Sequence, residues 1–166
     1  MKILDSGDRT QFDTGAVRDM REGKGRCDLL PLDVAAWILA PRNEAESPVL
    51  YWLNRFQEHG NPDALREALY SFLCYHRHWG GSSATMLLEV AKHFEEGAKK
   101  YGENNWQKGI PVPCYIDSAV RHYLKWLRDD EDEPHDRAFV WNIMCAWWTC
   151  MHKPELNNYA NKENIA

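Results

Sequence analysis

The chain has 166 residues, 44% of them hydrophobic and 12% aromatic, including 8 Trp, enough apolar material for one domain with a real core. Acidic residues outnumber basic ones, 25 against 20, for a formal charge of -5, which argues against an electrostatic nucleic-acid binder, because such proteins present a basic face. No stretch has the eighteen or so apolar residues of a membrane span, and Met1-Lys2-Ile3-Leu4-Asp5-Ser6 lacks a signal-peptide run, so a cytoplasmic protein is expected.

Residues 1–26 are polar and interrupted by Gly7, Gly15, Gly23 and Gly25, which predicts an extended arm. Arg18, Arg21, Lys24 and Arg26 gather positive charge there and suit an anion; a solvated arm lying on a neighbouring subunit is the alternative. Asp33 can cap a short helix over 34–40 that Pro41 ends. Pro48 then opens an amphipathic helix carried by Val49, Leu50, Leu53 and Phe56 and closed by Gly60. Asn61-Pro62-Asp63 starts the next, with Leu65, Leu69, Phe72 and Leu73 inward. His76 and His78 lack a third ligand at metal spacing and are read as structural or surface residues. Cys27, Cys74, Cys114, Cys145 and Cys150 form no C-x-x-C pair and are read as reduced, buried small hydrophobes.

Ser82 or Ser83 caps a long helix that ends at Gly102. Leu87, Ala91, Phe94, Ala98 and Tyr101 recur at three and four and define its expected core stripe. Glu95 lies at the edge of that stripe and Glu96 beyond it, near Glu89 and His93. A second acidic group, Asp132, Glu133 and Asp136, opens the last helix. Carboxylates crowd together at a cost unless a cation neutralises them, so two such clusters suggest a divalent metal site. Solvated surface charge is the alternative reading.

Between the clusters, the loop 103–113 is too rich in Gly, Pro and Asn for a helix. Trp106 could stack on a flat ring and Asn105 could offer a donor and an acceptor to a base edge, or both could be buried anchors. Ile116, Ala119, Val120, Tyr123 and Leu127 mark the following helix. On its other side Asp117, Arg121 and Lys125 form either a surface ladder or, with His122, a phosphate-binding edge. Pro134 starts the final helix, where Asp136 shares a face with Val140, Ile143 and Trp147 and so is expected to point inward and to ligate. The tail 155–166 is expected to be mobile. With no β-branched alternation, the chain reads as all-α, one domain over 1–154 with five or six helices.

Four ordered motifs carry a resemblance over about residues 15–150. Lys24-Gly25-Arg26-Cys27-Asp28-Leu29-Leu30-Pro31, the run from His93 to Trp106, Ile116-Asp117-Ser118-Ala119-Val120-Arg121-His122, and the run from Asp132 to Asn142 resemble the phage and prophage dATP/dGTP diphosphohydrolases. These are MazZ-type relatives of the all-α MazG nucleoside triphosphate pyrophosphatases. The resemblance implies a MazG-like helical bundle that cleaves a purine deoxynucleoside triphosphate to the monophosphate and pyrophosphate, with two or three Mg2+ or Mn2+ ions. Glu95 and Glu96 match the opening of the family's Glu-Glu-x-x-Glu motif, and Glu133 and Asp136 match its Glu-x-x-Asp motif. These four are the expected catalytic residues and, with Asp132, the expected metal ligands; Glu95 would orient or deprotonate the attacking water.

Lys99 stands where the third carboxylate of the first motif should be, and Asp132, Asp117 or Glu89 could replace that oxygen. Lys100, Arg121, His122 and Lys125, with Lys24 and Arg26 from the arm, would meet the phosphates. Asn105 and Trp106 would meet the base, and Asn142 lies in the last matching motif. A homodimer or homotetramer is implied. A non-catalytic helical partner protein, or a pyrophosphatase for a modified or pyrimidine nucleotide, are the alternatives.

Overall fold

The structure is a computed structural model that describes residues 8–19, 47–78 and 82–159, with the side chains of 75–78 set aside. Lys24, Arg26, Cys27, the helix expected over 34–40 and residues 160–166 lie outside the described residues. Within them the fold is all-α, with five helices: α1 Pro48–His59, α2 Pro62–His78, α3 Ser83–Tyr101, α4 Val112–Leu127 and α5 His135–His152. No helix among the described residues is long and apolar enough to cross a membrane.

Local chemistry sets the helix ends. Pro48 occupies the first turn of α1, where its missing N–H leaves no bond unmade, and Gly60 closes that helix in the left-handed region with its N–H on Phe56 O. The Ser82 hydroxyl accepts the Thr85 N–H at 3.1 Å to start α3, and Gly102, at φ 90, ends it.

The last helix, α5, is central and packs against α2, α3 and α4. Its buried residues, among them Phe139, Val140, Asn142, Ile143, Cys145 and Cys150, lie all round its circumference, as expected of a helix enclosed by neighbours. The core is strongly aromatic. Phe72 of α2 meets Phe139 at 4.6 Å and Trp126 at 5.0 Å between ring centroids. Cys114, Cys145 and Cys150 are buried free thiols as expected, whereas Cys74 is only half-buried.

The structure departs from four of these expectations. On α3 the core residues are Met86 and Val90, while Leu87 is 50% exposed and Ala91 is exposed. Both series have helical spacing, and the packing of α3 on α5 selects the one offset by a residue. Asp117 is fully buried beneath Arg121 instead of standing on a surface ladder.

The arm contains an antiparallel hairpin, β1 Arg9–Gln11 with β2 Val17–Asp19, turning through Gly15 at φ 78. Its strands are too short for a visible alternation. The hairpin is fastened to the helices of its own chain: Thr14 Oγ1 donates to Gly109 O, and Ala16 is fully buried. Residues 155–159 pack as well. Asn157 Nδ2 donates to Gly60 O at 2.8 Å, satisfying a carbonyl beyond the end of α1, and the Tyr159 ring meets Phe56 at 5.3 Å. Gly109 makes room for this return, because a Cβ there would lie 2.7 Å from Leu156 Cδ1.

Candidate active site

The hairpin, the second half of α3, α4, the loop before α5 and the middle of α5 border a cleft of about 840 Å³. Glu95, Glu96 and Lys100 reach it from α3, Arg121, His122 and Lys125 from α4, and Asp132 and Glu133 from the loop before α5. Asn105, Trp106 and Asn142 complete the predicted residues that line it. Asp136 does not line it. In the first turn of α5, where backbone N–H groups have no helical partner, its Oδ1 accepts the Arg137 N–H at 2.7 Å.

Six carboxylates and four Arg or Lys side chains border the cleft, and most of the predicted carboxylates already face a cation. Glu95 pairs with Lys99, the residue in the place of the missing acid. Both Glu96 oxygens accept from Arg137 Nη2, at 2.8 and 2.7 Å. Asp132 Oδ2 accepts from Lys125 Nζ at 2.8 Å, and its Oδ1 lies 2.7 Å from His135 Nε2. The Lys125 hydrogen bond, with a smaller contribution from His135, draws the Asp132 carboxyl down to about 2.

Glu133 differs from these. Its Oε1 faces two imidazoles, 3.5 Å from His122 Nδ1 and 3.6 Å from His135 Nδ1. Those two nitrogens are themselves 3.0 Å apart. Burial, followed by the neighbouring His135, keeps His122 well below the ordinary histidine range. Among the described residues two groups bring three possible metal donors together: His122, Glu133 and His135, and Asp130, Asp132 and His135. The expected set that includes Glu95, Glu96 and Asp136 is not brought together. An acidic cleft containing a convergent nitrogen and oxygen donor group does, however, fit a divalent cation.

Two predicted substrate contacts that line the cleft also hold the scaffold. Asn105 is buried; its Oδ1 accepts the Val17 N–H at 3.1 Å and its Nδ2 donates to Val17 O at 2.8 Å, completing the hairpin edge as a third strand would. Asn142 accepts from Arg18 Nη2 at 2.8 Å and donates to Ala138 O at 2.8 Å. Asn105→Ala is therefore expected to cost about 1–2 kcal/mol, through two lost backbone bonds, and to speed amide exchange at Val17, as read by hydrogen exchange and urea denaturation. Trp106 lies tilted against Phe94 at 5.3 Å and edge-on to Trp148 at 4.9 Å, which leaves it between the cleft and an apolar hollow on the other side.

Sequence reasoning missed His93, His135 and Arg137 as site residues, and named Arg18 only among the anion-suited cations of the arm. Arg18 also donates to Ser118 Oγ at 2.7 Å, with its guanidinium over the Tyr115 ring. His93 lies 5.2 Å from Trp141, and burial pushes its imidazole down to about 4. His135 alone left a legible signal, the Asp132-x-x-His135 spacing that places both groups on one side of a turn.

Fold and cleft together define an all-α domain whose last three helices and one hairpin surround an acidic, arginine-edged site. A family model described as dATP/dGTP diphosphohydrolase, N-terminal, matches residues 75–159, and the chain belongs to that family. The match spans α3, α4 and α5, the helices that line the cleft. No curated protein and no solved structure matches the chain.

Proposed function

We propose that the chain hydrolyses a purine deoxynucleoside triphosphate, dGTP or dATP, between the α- and β-phosphates, releasing the monophosphate and pyrophosphate in a reaction that depends on a divalent cation. The family membership carries this reading, and the charge of the cleft supports it. A triphosphate entering between six carboxylates and four cations is repelled unless further positive charge accompanies it. Glu133, which faces histidines rather than Lys or Arg among the described residues, is the predicted carboxylate best suited to hold that cation. When bound, a divalent ion offsets the developing phosphate charge and makes water a stronger acid.

The chain's own groups supply the rest. Arg18, held by Ser118 and Asn142, and Lys100, Arg121 and Lys125 line the cleft and would take the phosphate oxygens. Glu95, on the exposed rim, would orient the attacking water and accept its proton. The half-buried face of Trp106 would take the purine ring. An assembly of two or four copies, and use in phage-infected cells either to lower purine pools or to supply dGMP for a 2-aminoadenine genome, follow from the same reading.

The test is turnover of a panel of ribo- and deoxynucleoside triphosphates with Mg2+ or Mn2+, with the products resolved. Purine monophosphate and pyrophosphate from dGTP or dATP are expected. Diphosphate and phosphate would refute the bond assignment. The absence of any turnover would favour a non-catalytic helical partner, in which the pairs Glu95–Lys99 and Glu96–Arg137 are structural alone.

A further inference from the structure

We infer that His122, His135 and Glu133 form a two-histidine, one-carboxylate centre for a first-row transition ion between Mn2+ and Zn2+, with Asp132 as the group that orients His135. This assignment rests on the reading of the cleft as a metal-dependent site and deepens it. It names nitrogen ligands in place of an all-carboxylate cage, and so a class of ion.

His122 Nδ1, His135 Nδ1 and Glu133 Oε1 form a triangle with sides of 3.0, 3.5 and 3.6 Å. Three ligands at bonds of ~2.1 Å from one ion are separated by about 3.0 Å at octahedral angles and about 3.4 Å at tetrahedral angles. The triangle therefore has the dimensions of one face of a coordination polyhedron before any ion is considered.

Proton placement agrees with it. Asp132 Oδ1 is 2.7 Å from His135 Nε2, and a carboxylate only accepts, so the proton of neutral His135 sits on Nε2 and the Nδ1 lone pair faces Glu133 and His122. His122 Nδ1 can donate to His135 Nδ1 across their 3.0 Å separation, and in its other tautomer, with the proton on Nε2, it would offer a second lone pair to an ion. Glu133 Oε1 and His135 Nδ1 are both acceptors, 3.6 Å apart with no hydrogen between them, an arrangement that a cation stabilises.

Burial favours the same site. The His135 side chain is 1% exposed, while His122 and Glu133 line the cleft, so the remaining coordination positions open toward substrate. The alternative group of Asp130, Asp132 and His135 has both carboxylates held, by Arg128 and by Lys125. Imidazole ligands select Mn2+ to Zn2+ over Mg2+, which prefers oxygen and retains its water.

The experiment is metal binding by the full chain, stripped of ions. Co2+ titration followed by visible absorption, and pulsed electron paramagnetic resonance of the Mn2+ form, are expected to report one site coupled to two imidazole nitrogens. Asp132→Asn should weaken Co2+ about 10–100-fold, as loss of an outer partner does, and His135→Gln or Glu133→Gln should weaken it further. Asp136→Asn should bind as the parent does. Absence of imidazole coupling in the unaltered protein, which requires no variant to fold, would overturn the assignment, as would Mg2+ binding as tightly as Co2+. Turnover with Mg2+ alongside absent imidazole coupling would sink the centre and leave the hydrolase reading intact. An imidazole-ligated ion without turnover of any nucleotide would do the reverse.

Discussion

Glu96→Ala is expected to lower the unfolding free energy by about 3 kcal/mol, near the lower end of the range for breaking a buried ion pair from one side. Arg137 sits in α5 with its side chain 7% exposed, and Nη2 donates to both Glu96 oxygens. Its Nε finds no partner among the described residues. Removing the carboxylate strands a buried cation between α3 and α5, and the partial exposure of Glu96, 34%, keeps the loss from being larger. Urea denaturation checks it, with Glu95→Ala as the comparison, because the exposed Glu95–Lys99 pair should leave the midpoint unchanged. Glu96→Leu combined with Arg137→Met should recover most of the loss, since an apolar pair of similar volume avoids desolvating two charges. A fall in turnover in Glu96 variants therefore reports ligand loss only where the fold has been shown to survive.

The second large effect is a loss of about 3 kcal/mol between pH 6.5 and pH 4, driven by His93. Burial, aided by the Arg137 charge, pushes the folded imidazole from its ordinary 6.5 down to about 4. In the unfolded chain the ring takes a proton as the pH falls through 6.5; in the folded chain it does so only near 4. The unfolded state therefore binds more protons inside that window, and stability falls with pH until about 4, where the loss is complete. Above 6.5 the ring is neutral in both states and contributes no slope. His122, also held low by burial, acts in the same direction. Asp132 behaves oppositely in origin: its carboxylate is favoured by Lys125, so its contribution is present above its ordinary 3.8 and disappears only as the pH falls toward 2, below the histidine window. His93→Gln should flatten the curve between 6.5 and 4 and leave the lower limb in place, as measured by denaturation midpoints across pH.

The helix boundaries were legible because they depend on neighbours in the chain. Pro48, Gly60, Ser82 and Gly102 act on the backbone within one turn and need no partner elsewhere. The phase of α3 was not legible, since Leu87-Ala91 and Met86-Val90 are equally helical series and only contact with α5 separates them. Much of the candidate site was accessible through motif resemblance, as Glu95, Glu96, Arg121, Lys125 and Glu133 all meet at one cleft. Asp136 stands apart from that cleft, because an acid in a first helical turn is served by the free backbone N–H groups, here that of Arg137. Asn105, Asn142 and Arg18 make their bonds across 88 to 124 residues of sequence, and such pairings leave no local period from which to infer them.

Those long separations bear on the order in which the molecule assembles. The pair α4 and α5 is joined by a short loop and makes its contacts early for little loss of chain entropy, as does α1 with α2. The hairpin must be recruited from the far end of the chain to meet helices that already stand, so it is the late arrival. Ala16, Val17 and Arg18 are then the last pieces in place, and of the four Arg and Lys side chains that border the cleft, Arg18 is the one a freshly made chain acquires in the closing step of folding.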